Sequence, residues 1–212
     1  MRYLYLHGLA SGPSSSKARY LQEKFRPLGI PLLCPDLNGS DFRTMTFTSQ
    51  LARVQEVLGG GVEPVTLLGS SLGGLMAVLT AIADPRVARL FLMAPAFKFM
   101  AIWLQHLGPQ TLAQWRETGV LEVYHYAYGC TALLGYKMVE DAQNYDEDLF
   151  NYSIPVQIVH GLNDAVVPPA YSVAFAQDRP NIQLTLVPDD HSLLASMDTV
   201  WDLLLPWLAQ SS

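Results

Sequence analysis

Two adjacent serines, Ser70 and Ser71, lie between glycines at the point where the apolar pattern changes from that of a strand to that of a helix. The residues Val65–Gly69 before them are β-branched or apolar and follow Pro64, which is typical of a buried strand. Over Leu72–Ala83 the apolar residues recur at helical spacing. The serines are therefore predicted to occupy a turn between a strand and a helix, where a hydroxyl can act as a nucleophile.

The segment Gly69-Ser70-Ser71-Leu72-Gly73 has the G-x-S-x-G pattern, whose central serine occupies a sharp, strained turn that exposes its hydroxyl. Small residues are needed two positions to either side, because a Cβ there would collide with the neighbouring strand or helix. Centring the pattern on Ser71 puts glycines at both positions, whereas centring it on Ser70 puts Leu68 and Leu72 there. Ser71 is therefore the candidate nucleophile.

A serine hydroxyl needs a neighbouring base to take its proton near neutral pH. His106 and His125 fall in a long segment between two predicted strands and are expected at the surface or in a cleft. His7 and His160 each end a predicted strand and precede a glycine, which favours a structural role in a turn. His191 follows the last predicted strand and precedes the last helix, so it can reach the edge of the sheet where the nucleophile is predicted. His191 is the candidate base.

A third group must hold the imidazole in its working tautomer and stabilise its charged form. Asp164 follows the fifth predicted strand, in HGLNDAVVPP. Asp189 and Asp190 adjoin His191, from where a contact with the far nitrogen of the ring is geometrically awkward. They are alternatives to Asp164, with an expected role as turn residues or helix-cap acceptors. Asp164 is favoured as the acid.

Acyl transfer also needs hydrogen-bond donors directed at the developing oxyanion. The backbone N–H of Leu72, at the start of the helix after the nucleophile, is the natural first donor. The second is expected from the turn after the first strand, where Gly8 lets the chain bend and Leu9 presents its N–H. A phosphate-binding role for this Gly/Ser-rich turn is a weaker alternative, because the established phosphate-loop patterns are absent from it.

Short runs that are apolar throughout alternate with helical patterns along the chain. Such strands predict a mainly parallel sheet covered on both faces, with functional groups at the carboxyl ends of the strands. The predicted strands are Tyr3–Leu6, Ile30–Cys34, Val65–Leu68, Val87–Met93, Val156–Val159 and Ile182–Val187. The predicted helices between them are Ser15–Leu28, Thr48–Leu58, Leu72–Ala83, Pro169–Gln177 and Leu193–Ala209. The fold class is therefore a three-layer α/β domain.

One interval of about 60 residues, from Met93 to Ile154, breaks this alternation and is rich in tyrosine and tryptophan. So long a loop without structure is uncommon, so the interval is predicted to be an inserted cap over about residues 97–152 of a single domain, 1–212. The cap is expected to contain a small hairpin around Gly129 and helices near Phe97–His106, Gln110–Glu117 and Tyr136–Asn144. Most of its aromatic side chains are expected to pack against the sheet and one another, and a few to line an apolar cleft.

Composition limits the partners of the protein. A formal net charge of −6 without a lysine or arginine cluster argues against nucleic acid or an anionic membrane surface as the main partner. No apolar run approaches the roughly 18 residues of a membrane span. Cys34 and Cys130 lack the spacing of a zinc site or a disulfide framework, which favours two buried or half-buried thiols in a reducing cytoplasm.

The motifs together resemble those of the α/β-hydrolase superfamily: YLHG as the oxyanion turn, GSSLGG as the nucleophile elbow, HGLNDAVVP as the acid turn and DHSL as the histidine turn. The match is closer to the small bacterial YqiA-type serine esterases, whose chains also begin with the strand that leads into HG. The resemblance implies a sheet of about six strands and a triad of Ser71, Asp164 and His191, in the chain order expected of this fold. It implies a reaction class and not a substrate, because the cap carries no recognisable motif.

Three hypotheses for the function follow. The leading one is a carboxylesterase that cleaves small or medium acyl esters through an acyl-enzyme and needs no cofactor. The alternative is an acyl thioesterase, which would use the same triad in a different groove. The third is a non-catalytic module of the same fold that binds a small apolar ligand or a partner through the cap. Such modules often lose a member of the triad, and all three members are present here.

Overall fold

A six-stranded parallel sheet runs through the computed structural model, which describes residues 1–151 and 153–209. Tyr152, the last residue of the predicted cap, and residues 210–212 lie outside the described residues. The strands are β1 (Arg2–Leu6), β2 (Leu32–Leu33), β3 (Val65–Ser70), β4 (Val87–Met93), β5 (Val120–His125), β6 (Cys130–Gly135), β7 (Val156–Gly161) and β8 (Ile182–Val187). The sheet has the order β2-β1-β3-β4-β7-β8, whereas β5 and β6 pair with each other as an antiparallel hairpin.

Seven helices accompany these strands in the described part of the chain. They are α1 (Ser16–Phe25), α2 (Phe47–Leu58), α3 (Leu72–Ala83), α4 (Phe99–Thr118), α5 (Lys137–Ala142), α6 (Ala170–Ala176) and α7 (Met197–Ala209). Single 3₁₀ turns occupy Arg26–Leu28, Phe42–Thr44 and Glu147–Leu149. No helix in residues 1–151 and 153–209 is both long and apolar enough to cross a membrane.

In the central strands β1, β3, β4 and β7 the side chains alternate between two buried layers, as the pleat requires. Leu4 and Leu6 of β1 pack on the face that carries α2 and α3, and Tyr3 and Tyr5 pack on the face that carries α1 and α7. The central helix α3 is almost wholly buried, which its run of leucine, alanine and glycine allows. The predicted fold class, a three-layer parallel α/β sheet, is confirmed.

Local sequence explains where several helices begin and end. The Thr46 hydroxyl accepts from the N–H of Ser49, and the Ser49 hydroxyl accepts from the N–H of Thr46, so α2 starts with a reciprocal capping box. Ser15 caps α1 by accepting from the N–H of Ala18. That helix gives way to a 3₁₀ turn at Pro27, which has no N–H to continue the α-helical ladder.

The chain between β4 and β7 leaves the sheet and forms the predicted helices and hairpin. The first two predicted helices are joined end to end as α4, with a kink at Gly108 (φ 75°, ψ 165°) directly before Pro109. The hairpin of β5 and β6 turns at Gly129, whose φ is 68°. This hairpin reaches the body of the molecule through the N–H of Tyr126, which donates to the carbonyl of Ala10 at 2.8 Å.

Two predicted elements differ from the structure. The strand predicted over Ile30–Cys34 shortens to Leu32–Leu33, because only two of its residues pair with the neighbouring β1. The helix predicted from Leu193 begins at Met197 instead. The intervening residues form an irregular loop in which Leu193 has a φ of 54°, which ends any regular helix there.

Candidate active site

Ser71 occupies the sharp turn between β3 and α3. Its backbone has φ 55° and ψ −124°, a conformation that an L-residue holds only when its surroundings enforce it. The N–H of Ser71 donates to the carbonyl of Met93 at 3.0 Å, and its carbonyl accepts from the N–H of Ala96 at 3.0 Å. These bonds to the end of β4 hold the turn in place.

The glycines around this turn have no room for a side chain. A Cβ on Gly73 would lie 2.1 Å from the carbonyl oxygen of Leu6, and one on Gly69 would lie 2.4 Å from the carbonyl oxygen of Gly73. The neighbouring Ser70 is buried, and its side chain bonds to the hydroxyl of Tyr5. The structure therefore gives Gly69 and Gly73 the small-residue role that the sequence pattern predicts around Ser71. Ser70 lies at the edge of the cavity with its hydroxyl bonded to Tyr5.

Three predicted residues form one hydrogen-bonded chain at the carboxyl edge of the sheet. The Ser71 Oγ lies 2.9 Å from His191 Nε2, and His191 Nδ1 lies 2.7 Å from Asp164 Oδ2. Asp164 accepts at its oxygen, so Nδ1 carries the imidazole proton and Nε2 is left to accept the serine proton. This is the arrangement that a serine nucleophile with a histidine base requires.

Asp164 is buried and held from several directions. Burial acts to raise the pKa of its carboxyl, but hydrogen bonds from His160 and His191 and from the N–H of Val167 outweigh it, so the pKa is lowered well below its ordinary value. Its Oδ1 accepts from the N–H groups of Val166 and Val167 at 2.9 and 2.8 Å. Asp164 is therefore a fixed anion behind the imidazole of His191.

His160 is a residue whose importance the sequence analysis missed, since it was expected only to shape a turn. It is fully buried, and its Nε2 lies 3.0 Å from Asp164 Oδ2 and 2.9 Å from the carbonyl oxygen of Val167. Because both partners accept, Nε2 carries the proton, and Nδ1 accepts from the hydroxyl of Ser172 at 2.7 Å. The sequence feature that could have indicated this role is the spacing of four residues between His160, at the end of a predicted strand, and the candidate acid Asp164.

The turn that carries Leu9 lies directly against the candidate nucleophile, Ser71. A Cβ on Gly8 would stand 3.2 Å from the Cβ of Ser71, so this turn and the serine are in close contact. His7 fixes the turn: its Nε2 accepts from the N–H of Leu37 at 3.0 Å, and its Nδ1 donates to the carbonyl of Gly8 at 2.9 Å. Leu9 lines the cavity beside Ser71.

Leu72 is the first residue of α3, so its N–H has no acceptor within the helix. The positive end of the helix dipole lies at the same place, so a negative charge near the Leu72 N–H would be stabilised. The two predicted oxyanion donors, Leu9 and Leu72, thus sit in the two turns that adjoin Ser71.

The loop between β8 and α7 presents His191. Asp189 accepts from the N–H groups of Asp190 and Ser196, both at 2.8 Å, and Asp190 accepts from the N–H of Ser192 at 2.8 Å. The two aspartates that rivalled Asp164 therefore hold the turns of the loop instead of contacting the imidazole.

Gly161 lets this loop approach β7. A Cβ on Gly161 would lie 2.4 Å from the carbonyl oxygen of Asp189, so a larger residue would push the loop away from the sheet. The closeness of the loop to β7 is what brings His191 over the carboxylate of Asp164.

A cavity of about 870 Å³ opens over Ser71 and His191. One wall comes from the chain between β4 and β7 and is aromatic, with Phe99, Trp103 and Tyr126. The rest of the cavity lining is rich in hydroxyl and charged groups. These are Ser11, Ser14, Ser15, Ser16, Lys17, Arg19, Asp190 and Ser192. A substrate bound at Ser71 would therefore meet both apolar and polar surface.

Two sequence predictions near the site need correction. His125 was expected at the surface or in a cleft, but it is fully buried and stacks on Tyr128 with 3.6 Å between ring centroids. Cys130 was expected to be buried or half-buried and is exposed, whereas Cys34 is half-buried; both are free thiols. In the described part of the chain, no group of three His, Cys, Asp or Glu side chains is arranged to hold a metal ion.

The sheet order, the strained serine turn and the cavity above it are those of the α/β-hydrolase fold. Alpha/beta hydrolase domain-containing protein 10 from mouse superimposes with a TM-score of 0.78 at 22% identity, covering 99% of this chain and 90% of that one. Est1E from Butyrivibrio proteoclasticus, solved with ferulic acid bound, gives 0.73 at 24% identity, covering 97% and 88% of the two chains. A monoacylglycerol lipase from Paleococcus ferrophilus gives 0.75 at 16% identity, covering 99% and 94%. At these identities the likeness establishes the fold.

The chain belongs to the uncharacterised protein family UPF0227, whose model matches residues 2–204. This is the YqiA-like family, so the resemblance found in the sequence motifs is confirmed. Among curated protein sequences, none gives a significant match.

Proposed function

We propose that the protein is a serine hydrolase that cleaves carboxylic esters of small or medium acyl chains. The observation that carries the proposal is the chain of hydrogen bonds from Ser71 Oγ to His191 Nε2 at 2.9 Å and from His191 Nδ1 to Asp164 at 2.7 Å, at the floor of a cavity. An acyl group of moderate size fits a cavity of about 870 Å³.

In this proposal Ser71 Oγ attacks the ester carbonyl while His191 Nε2 takes its proton. The negative charge that develops on the carbonyl oxygen is stabilised by the N–H groups of Leu9 and Leu72. The intermediate expels the alcohol, which leaves with the proton held on His191. A water molecule then attacks the acyl-enzyme, with His191 as its base, and releases the carboxylic acid. Asp164 stays ionised throughout and stabilises the imidazolium.

The likeness to an esterase and to a lipase of the same fold supports a hydrolytic reaction, although those proteins share too little sequence to indicate the substrate. The aromatic wall of the cavity supports an apolar acyl or alcohol group. A cytoplasmic location and a small-molecule partner remain predictions from the sequence.

The test is hydrolysis of p-nitrophenyl esters from acetate to palmitate by the wild type and by Ser71→Ala. We expect the wild type to turn over part of the series and the variant to lose about 10⁴-fold or more in kcat, because the nucleophile is gone. Ser70→Ala is the matched control, since it removes the adjacent hydroxyl, which bonds to Tyr5 and not to His191. Its kcat is expected to stay within about threefold of the wild type.

A folded wild type that is inert on every ester, and that does not react with a fluorophosphonate, would refute the proposal. Turnover of matched thioesters but not of oxygen esters would replace the esterase with a thioesterase on the same triad.

A further inference from the structure

Lys17 joins α1 to the loop that carries His191. Its Nζ donates to the backbone carbonyl of Ser192 at 2.7 Å, and Ser192 is the residue directly after His191. Lys17 also lines the cavity together with Ser71 and His191. The contact bridges two segments that are 175 residues apart in the chain.

The surroundings of Lys17 are strongly acidic. The carboxylates of Asp164, Asp189 and Asp190 all act on the ammonium and favour its charged form. Other charged or titratable groups that share the cavity wall are Tyr5, Arg19, Tyr126 and His191. The ammonium is therefore held in place by these charges as well as by its hydrogen bond to the Ser192 carbonyl.

We propose that Lys17 is a positioning residue for the hydrolysis proposed above: its ammonium fixes the His191 loop through the Ser192 carbonyl. Lys17 acts through His191 and does not touch the reacting atoms. The inference rests on the proposed function only for its effect on turnover, because the fixing of the loop can be measured without a substrate.

The charge of Lys17 depends on pH within the working range of an esterase. Burial lowers the pKa of Lys17 to about 8, although the neighbouring aspartates act to raise it. The ammonium is therefore intact below about pH 8 and is lost as the pH rises through that value. Because the charged donor that fixes the loop is lost there, we expect kcat to decline above about pH 8.

The experiment compares kcat and KM between pH 5 and pH 10 for the wild type, Lys17→Met and Lys17→Arg. Methionine keeps the apolar stem and removes the charge, and arginine keeps the charge over the whole range. We expect Lys17→Met to lose about tenfold in kcat at pH 7 with KM within twofold, and to lack the alkaline decline. Lys17→Arg is expected to keep most of the activity at pH 7 and also to lack the decline.

Lys24→Met is the matched control, because Lys24 lies on the same helix, where its ammonium contacts the rings of Tyr20 and Trp201 outside the cavity. Its profile is expected to match that of the wild type, including the alkaline decline. Hydrogen exchange gives a second readout that needs no turnover. At pH 7 the amides of residues 189–196 are expected to exchange about tenfold faster in Lys17→Met than in the wild type or in Lys24→Met.

The inference is overturned if Lys17→Met retains wild-type kcat, if the alkaline decline persists in Lys17→Arg, or if exchange of the loop is unchanged in Lys17→Met. A wild type that hydrolyses no ester refutes the proposed function instead. In that case faster exchange in Lys17→Met still supports the claim that Lys17 fixes the His191 loop, whereas unchanged exchange refutes that claim too.

Discussion

One oxygen atom, Oδ2 of Asp164, receives hydrogen bonds from two histidines that have different roles. His191 faces the cavity and has Ser71 on its far side, whereas His160 is fully buried and has Ser172 on its far side. The partners of each ring fix its tautomer, since His191 has the proton on Nδ1 and His160 has it on Nε2. The carboxylate is thus oriented by a second histidine, which is buried outside the cavity lining and does not contact a substrate there.

The role of His160 can be tested with His160→Phe, which keeps a planar ring and removes both nitrogens. The Ser172 hydroxyl and the Val167 carbonyl lose a buried partner, so the free energy of unfolding is expected to fall by about 1–3 kcal/mol. Asp164 loses one of the donors that orient it, so kcat is expected to fall roughly tenfold with little change in KM. Urea unfolding and ester turnover measure the two effects.

Ser172→Ala is the control for this prediction. It removes only the hydroxyl behind His160, and we expect it to lower stability by about 1 kcal/mol while kcat stays near that of the wild type. Equal kcat values for His160→Phe and Ser172→Ala would mean that His160 has no part in orienting Asp164.

At the scale of elements, the junction of β3 and α3 depends on how closely backbones approach each other. A methyl group on Gly73 would lie 2.1 Å from the carbonyl oxygen of Leu6 and 2.5 Å from that of His7. Both atoms belong to backbone at the end of β1 and cannot swing aside. Gly73→Ala is therefore expected to reduce the free energy of unfolding by at least about 3 kcal/mol, measured by urea denaturation.

Gly60→Ala provides the comparison, because a Cβ on Gly60 meets nothing within 4 Å and its φ is not positive. We expect its stability to be within about 0.5 kcal/mol of the wild type, or slightly higher, since alanine restricts the unfolded chain. If Gly73→Ala were as stable as Gly60→Ala, α3 would have room to move away from β1, and the close contact would not be a requirement of the fold.

At the scale of the whole molecule, the sequence allowed the sheet and the hydrogen-bonded chain of Ser71, His191 and Asp164 to be predicted for the same reason. Parallel strands buried on both faces are apolar throughout, and their carboxyl ends meet at one edge, so polar residues that directly follow strands are brought together. The turn glycines added a steric criterion that singled out Ser71 over Ser70.

Other features could not be read from sequence, because they depend on contacts between distant segments. The short strand Leu32–Leu33 is limited by its pairing with β1, and the burial of His125 depends on how the hairpin lies against Phe42. The contact of Lys17 with Ser192 joins residues far apart in the chain. The spacing of His160 and Asp164 was visible, but nothing local indicated that both side chains turn inward.

An ion pair between the buried Asp84 and the half-buried Arg86 makes the stability of the whole molecule depend on pH. The guanidinium of Arg86 bonds to both carboxylate oxygens of Asp84 and also donates to the carbonyls of Gly59 and Gly61 at 2.7 Å. These bonds tie the start of β4 to the end of α2. The guanidinium lowers the pKa of Asp84 from 3.8 to about 2, although burial acts to raise it.

Arg86→Met is therefore expected to lower the free energy of unfolding at pH 7, because a buried carboxylate and two carbonyls lose their donor. The pKa of Asp84 is lower in the folded protein than in the unfolded chain. The stabilisation that its ionised carboxylate provides is therefore fully present above the unfolded pKa, about 4, and is lost as the pH falls towards about 2. The difference between wild type and variant should be largest at pH 7 and smaller at pH 3, in urea unfolding followed by circular dichroism.

Arg53→Met serves as the reference for that measurement, because Arg53 pairs with Glu56 on the exposed face of α2. Exposed pairs contribute little, so this variant should remain within about 0.5 kcal/mol of the wild type at both pH values. The part of the Arg86→Met effect that comes from the Gly59 and Gly61 carbonyls does not titrate, so a residual difference is expected at pH 3. A difference of the same size at pH 7 and pH 3 would show that Arg86 stabilises the fold through those carbonyls alone and that its pairing with Asp84 contributes nothing.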